Sequence, residues 1–273
     1  MTELIEGFAV HRTGSSDPGR PLLVLVHGLG GAASAWSLML PHLAADHRVV
    51  VVDLPGHGDA PPVPPAGMTP RALGSRLQRF AAAQGEPVHL VGHSLGGWIT
   101  LEAAAAAGEL DGVVADVTAF TPAGLWTTPR RRPPLLPTGQ QFARLAGRLP
   151  GRVATTRIGV TIALAATSTA PRRLPVEVVR EALTAIATAP GYVAADAGIA
   201  AGAFTGAEDV RAPVTIVAGG RDRVLPPQYC RRSVAPAHAR WIEWSECGHV
   251  PPWDRPADCA AVVREQVGTT VPG

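Results

Sequence analysis

Apolar, β-branched runs alternate along this chain with stretches whose apolar residues recur at helical spacing. The runs Leu22 to Val26, Val49 to Val52, Val88 to Val91, Val113 to Phe120, Val214 to Ala218 and Arg240 to Trp244 are each bounded by Gly, Pro, Asp or His, and they predict strands. Near-continuous apolar runs of this kind suit a parallel sheet covered on both faces. Between them, Ser34 to Ala45, Pro70 to Gln84, Leu95 to Ala107 and Pro256 to Val267 predict helices, the second with Thr69 as N-cap and Pro70 in the first turn. The order predicts an α/β fold with a mostly parallel central sheet and helices on both faces. From Leu125 to about Gly206 the rhythm breaks. No convincing strand occurs there, but helix-like pieces at Gln140 to Leu149 and Val176 to Ala187 stand between Pro-rich turns. Such a stretch is too long for a connecting loop. It predicts an inserted helical cap over residues 125–206, with residues 1–124 and 207–273 forming one core domain.

Composition adds modest limits. With 273 residues, 46% of them hydrophobic, and a formal net charge of +2, the chain is long enough for one large domain with a sizeable core. No signal-peptide pattern opens it and no uninterrupted apolar run is long enough to span a bilayer, so a cytoplasmic location without a membrane span is expected. Cys230, Cys247 and Cys259 are an odd set with no C-x-x-C pair, which argues against a disulfide framework or a zinc site; small buried thiols and no bound metal are expected.

The candidate chemistry begins with an ambiguity. Gly28, Gly30 and Ala33 stand in the G-x-G-x-x-A spacing of dinucleotide-binding folds, and Asp53 ends the next apolar run where a ribose-binding acid would sit. Against this stands "VHLVGHSLGGWITLEAAAAA" at 88–107. There a strand runs into Gly92-His93-Ser94-Leu95-Gly96 and emerges as an Ala-rich helix, the context of a G-x-S-x-G nucleophile elbow. A serine hydroxyl needs a base, and the base needs an orienting acid, in the chain order Ser, acid, His. Asp222 follows the run at Val214 in a glycine turn, although a surface ion pair with Arg221 or Arg223 is the plainer account of that residue alone. His249 lies on a short loop between the last strand and the last helix. His27 and His57, in glycine turns, are expected to bond backbone, and His93 is too close to Ser94 in a tight turn to serve as its base. Asp116, mid-strand, needs a partner if buried.

With "HGLGG" at 27–31, "DLPGHG" at 53–58, "GHSLGG" at 92–97, "GGRDRVLPP" at 219–227 and "CGHVPP" at 247–252 in this order, the chain resembles the α/β-hydrolase superfamily, in its branch with a serine nucleophile and a helical cap. The resemblance implies that the first glycine turn is half of an oxyanion hole, with backbone N–H donors at Leu29 and Leu95, and that Asp53 is structural. It implies catalysis by Ser94, Asp222 and His249 without a cofactor, and a serine hydrolase that cleaves a carboxylic ester or thioester through an acyl-enzyme. C–C bond hydrolysis or a non-hydrolytic lyase or cyclase reaction on the same triad is the alternative; a binding protein of this fold and a nicotinamide oxidoreductase are further ones.

The expected partner is a small-molecule ester or thioester. Between Asp116 and Glu177 there is no acidic residue, while Arg130, Arg131, Arg132, Arg144, Arg148, Arg152, Arg157, Arg172 and Arg173 lie there. All 24 basic residues of the chain are Arg, and outside this stretch 15 of them face 22 carboxylates. Such a field would steer an anionic or carrier-bound substrate, although a solvated surface accounts for it as well. No recognition motif for nucleic acid accompanies the cluster. Trp98, Trp126 and Phe142 are candidates for an apolar substrate pocket, and the apolar residues of the cap, Leu135, Leu136, Leu145, Ile158, Val160, Ile162 and Leu164, form either part of it or the cap's own core.

Overall fold

The computed structural model describes residues 2–106, 112–127, 139–147, 159, 161 and 164–270. Eight strands form one sheet: β1 (Glu3–Ile5), β2 (Phe8–Gly14), β3 (Leu22–Val26), β4 (Arg48–Asp53), β5 (Val88–His93), β6 (Val114–Phe120), β7 (Val214–Gly219) and β8 (Arg240–Trp244), in the spatial order β1-β2-β4-β3-β5-β6-β7-β8. The six strands predicted from apolar runs are all present and pair in parallel, from β4 to β8. Their side chains divide as a two-residue period requires. Val24, Val26, Val50, Val52 and Leu90 join one core cluster, while their alternates Leu23, Leu25, Val49, Val51 and Val91 join the other. The sheet is therefore buried on both faces, and this is why the runs carry almost no polar residue.

The described α-helices are α1 (Leu40–Leu43), α2 (Pro70–Ala82), α3 (Leu95–Ala105), α4 (Gly139–Gly147), α5 (Val176–Thr188), α6 (Tyr192–Ala201), α7 (Pro251–Asp254) and α8 (Pro256–Thr270). Thr69 caps α2 as expected, its hydroxyl accepting the Ala72 N–H at 3.3 Å. Three elements differ from the sequence reading. The helix expected over Ser34 to Ala45 is a 3₁₀ turn at Ala33–Trp36 followed by the short α1. Pro41 stands inside that span; it has no N–H to donate and its ring would strike the carbonyl four residues back, so the helix starts afresh beside it. The antiparallel hairpin β1–β2 at the sheet edge was not expected; its turn places Glu6 at φ 52° and Gly7 at φ 84°, left-handed positions that match the twist of a tight hairpin. Helix α6 also escapes the pattern, because its sequence YVAADAGIAA, with Asp196 its single charge, carries no distinct apolar stripe.

Between β6 and β7 the chain carries α4, α5 and α6. Their seating is visible at two points above the carboxyl edge of the sheet: a β-carbon on Gly30 would lie 3.0 Å from the Tyr192 ring, and the Gly191 N–H donates to Gly56 O at 2.8 Å. Arg130, Arg131, Arg132, Arg148, Arg152 and Arg157, with Leu135, Leu136, Ile158, Val160 and Ile162, lie outside the described residues.

Candidate active site

Strand β5 ends at His93 and α3 begins at Leu95, leaving Ser94 alone at the turn with φ 53° and ψ −115°. A non-glycine residue in this region is strained, and surrounding structure must hold it there. The holding groups are the Phe120 carbonyl, which accepts the Ser94 N–H at 3.0 Å, and the Trp98 and Ala123 N–H groups, which donate to Ser94 O at 3.1 and 2.9 Å. The flanking glycines have a steric reason. A β-carbon at Gly92 would lie 2.4 Å from Gly96 O, and one at Gly96 would lie 2.1 Å from Val26 O, so this turn closes only without side chains at both positions.

The structure brings Ser94, His249 and Asp222 into one hydrogen-bonded chain. His249 Nε2 lies 3.0 Å from Ser94 Oγ, and His249 Nδ1 lies 2.7 Å from Asp222 Oδ2. With the Nδ1–H donated to the carboxylate, Nε2 is left to accept the serine proton. Asp222 Oδ1 accepts the Val224 and Leu225 N–H groups at 2.8 and 2.7 Å, so the acid is fixed from both sides. All three residues are buried. Among the described residues neither flanking arginine pairs with Asp222: Arg221 pairs with Glu246 at 2.5 Å and Arg223 reaches Ala165 O.

Leu29 lies in the glycine turn after β3, and Leu95 is the first residue of α3. Among the described residues, no hydrogen bond engages either backbone N–H. His27 secures the first turn, its Nδ1–H donating to Gly28 O at 2.8 Å while Nε2 accepts the Leu54 N–H at 3.1 Å. Asp53 is saturated by its own chain: it accepts from the Ala33 N–H at 2.6 Å, the Asp59 N–H at 2.9 Å and His11 Nε2 at 2.9 Å. With both oxygens engaged and its side chain buried, this carboxylate braces the turns around it; His11, Asp53 and Asp59 cluster here.

Two residues that were not expected in this role fix the histidine from behind. His93 Nε2–H and Thr121 Oγ1–H both donate to the His249 carbonyl oxygen, at 2.8 and 2.7 Å. Thr121 adopts φ 43° to do so. No local pattern announces this pair, since it depends on which strand ends are neighbours in the sheet. Of the proposed pocket residues, Trp98 and Trp126 are buried edge-to-face in the core with ring centroids 5.4 Å apart. Their indole N–H groups are taken by Glu102 and by Gly202 O, each at 2.8 Å. Both indoles lie against Gly202, whereas Phe142 on α4 is 39% exposed. The three thiols are free and buried, and burial pushes those of Cys230 and Cys247 up to about 12.

Burial works in the opposite direction on the imidazoles around the site. Desolvation first, and then the proximity of His27, lowers His57 to about 4. Desolvation, followed by the proximity of His249, lowers His93 to about 3. His57 Nδ1–H donates to Pro55 O, and its Nε2 is buried with no partner, so a proton added there would find no acceptor. An unfolded histidine titrates near 6.5, so the folded form resists protons that the unfolded form binds. This stabilisation is complete above about pH 6.5 and is lost as pH falls towards 4 and then 3. Urea unfolding across pH 7 to 4 is expected to show stability falling on acidification by up to about 1.4 kcal/mol per pH unit for each such histidine, and replacing His57 by Gln should flatten the slope. A flat profile from pH 6 to 4 would contradict the burial argument.

The sequence profile of the alpha/beta hydrolase family matches residues 23–262. The chain belongs to this family. It is 29% identical over 260 residues to the pimeloyl-[acyl-carrier protein] methyl ester esterase of Aromatoleum aromaticum, a match that covers 91% of this chain and 98% of the esterase. A shorter match, 37% identical over 103 residues, joins it to the dihydrolipoyllysine-residue acetyltransferase component of the acetoin cleaving system of Pseudomonas putida, covering 38% of this chain and 27% of that one. The chain spans less than half the length of the first curated relatives it matches. Among solved structures, the enol-lactonase of Burkholderia xenovorans LB400 superposes with a TM-score of 0.71 at 20% identity, covering 96% of each chain, and shares the fold. No helix among the described residues is long and apolar enough to cross a membrane.

Proposed function

We propose that this hydrolase cleaves a carboxylic ester or thioester through an acyl-enzyme on Ser94, with His249 as base and then acid and Asp222 as its orienting acid. The observation that carries the reading is the unbroken contact from Ser94 Oγ through His249 to Asp222 Oδ2. As Ser94 Oγ attacks the carbonyl carbon, His249 Nε2 takes its proton and Asp222 stabilises the imidazolium. The C–O or C–S bond breaks as His249 returns the proton to the leaving group, and water then repeats the sequence on the acyl-enzyme. The Leu29 and Leu95 N–H groups are assigned to the tetrahedral oxyanion, each donor of this kind contributing about 3 to 4 kcal/mol in the transition state. Residues 125–206 are assigned as a cap over a core of 1–124 and 207–273, on the support of the contacts that α5 and α6 make above the glycine turns. A panel of p-nitrophenyl esters and acyl thioesters tests the reading. Turnover of at least one member is expected; no turnover of any, together with cleavage of a 1,3-diketone C–C bond, would favour the carbon–carbon reading instead.

The substrate class we favour is anionic or borne on an acidic carrier. Support comes from the acid-free, Arg-rich stretch in the sequence and from the esterase relative, whose substrate is named as an acyl-carrier-protein ester. Opposite charges accelerate encounter, and salt screens them with a Debye length of about 8 Å at physiological strength. For a carrier-bound thioester, kcat/KM is therefore expected to fall about ten-fold from low to physiological salt, while a neutral short-chain ester changes little. Replacing Arg130, Arg131 and Arg132 together by Gln should flatten the first curve and leave the second alone. Equal salt curves for both substrates would leave the arginines as solvated surface.

A further inference from the structure

Helix α7 directly follows His249 in the chain, and its last residue gathers donors from two separate segments. Asp254 Oδ2 accepts the Gly248 N–H at 2.9 Å, from the loop that carries His249. From residues 168 and 169, within the insertion, the same carboxylate accepts Ser168 Oγ–H at 2.5 Å and the Thr169 N–H and Oγ1–H at 3.1 Å each. One residue on from His249, the Val250 N–H donates to Thr167 O at 3.0 Å. The preceding residue of the helix, Trp253, packs against Leu164, Leu174 and Val179 of the insertion and gives its indole N–H to Ala35 O at 3.1 Å. Thus α7 is the piece of the core that touches the insertion, the oxyanion-side turn and the histidine loop together.

We propose that Asp254 is a positioning residue that joins the seating of the insertion to the alignment of His249. This inference rests on the Ser94–His249 mechanism above. The imidazole tip is held by Asp222 and the backbone carbonyl by His93 and Thr121; on the neighbouring residues the Cys247 carbonyl accepts the Arg221 N–H at 2.9 Å, the Val250 N–H donates to Thr167 O, and the Gly248 N–H is held by Asp254. A carboxylate suits the task because it accepts several charge-assisted bonds at once and donates none. Without the donors of segment 164–170 this carboxylate keeps, of these bonds, only that from the Gly248 N–H, and its hold on the His249 loop loosens.

The test uses the purified full chain with p-nitrophenyl acetate, with rates expressed per Ser94 site titrated by a fluorophosphonate. In Asp254→Asn one acceptor becomes an NH₂ group that faces donors. Its per-site kcat is expected to fall about 10- to 100-fold, the scale on which an ångström of misplacement acts, while KM stays within about two-fold. Ser168→Ala combined with Thr169→Val removes donors from the insertion side alone, and should lower per-site kcat in the same sense by about 5- to 10-fold. A purely structural role would lower the melting temperature and the titratable fraction and leave per-site kcat at the wild-type value; that result in the Ser168/Thr169 pair overturns the inference even where Asp254→Asn does not fold. If the wild-type enzyme is not labelled at all, the parent mechanism falls and this inference with it. If labelling is normal and only the variants are indifferent, the inference falls alone.

Discussion

Ser94→Ala is expected to lower kcat by about 10⁴ to 10⁶ while the protein stays folded. The substitution deletes one hydroxyl and leaves the strained turn to the bonds that hold its backbone, from Ser94 N to Phe120 O and from Trp98 and Ala123 N to Ser94 O. What remains is the rate that binding and the oxyanion donors supply without a nucleophile. Steady-state kinetics and a melting curve on the same preparation check both halves. Wild-type turnover in the folded variant would place the chemistry on another group.

His249→Ala is expected to be nearly as damaging, and Asp222→Asn somewhat less, with a loss of about 10⁴. The serine is a weak nucleophile until Nε2, 3.0 Å away, takes its proton, so removing either partner removes the same step. Losses from groups that act as one unit do not add. The Ser94→Ala, His249→Ala double variant should therefore be about as slow as the worse single variant. Asp222→Asn acts differently: its amide can donate to Nδ1, stabilising the wrong tautomer and leaving Nε2 protonated where it should accept. Additive losses in the double variant, or an Asp222→Asn enzyme as fast as wild type, would mean that the base or the acid has been misassigned.

Much of this architecture was legible because burial on both sides leaves a plain mark. A strand such as LLVLV, fully buried over Leu22–Val26, has no polar alternative to confuse it. The turn that carries Ser94 was legible for a related reason, since close backbone approach at Gly92 and Gly96 excludes every side chain and writes the turn into the sequence. Asp116 was expected to need a partner; buried as it is, it accepts from His89 Nδ1 at 2.7 Å and from Thr270 Oγ1 at 2.8 Å. Less legible were elements whose stability is tertiary. The β1–β2 hairpin holds by pairing with β4 at the sheet edge, and α6 carries no amphipathic stripe to reveal it. The groups that align His249 were invisible for the same reason. His93 and Thr121 meet its carbonyl across separations of 156 and 128 residues, and the contact exists only once β5, β6, β7 and β8 lie side by side. Asp254 stands five residues after His249, yet its donors Ser168 and Thr169 arrive from 86 and 85 residues away.

The most direct test of the central claim is covalent. Incubation of the purified chain with a fluorophosphonate, followed by intact-mass and peptide mapping, asks whether the hydroxyl beside His249 is an activated nucleophile. The account predicts one adduct per chain, on the peptide containing Ser94, absent from Ser94→Ala and formed far more slowly in His249→Ala. An unlabelled Ser94 in protein that turns over an ester, or an adduct on a different residue that abolishes that turnover, would contradict it.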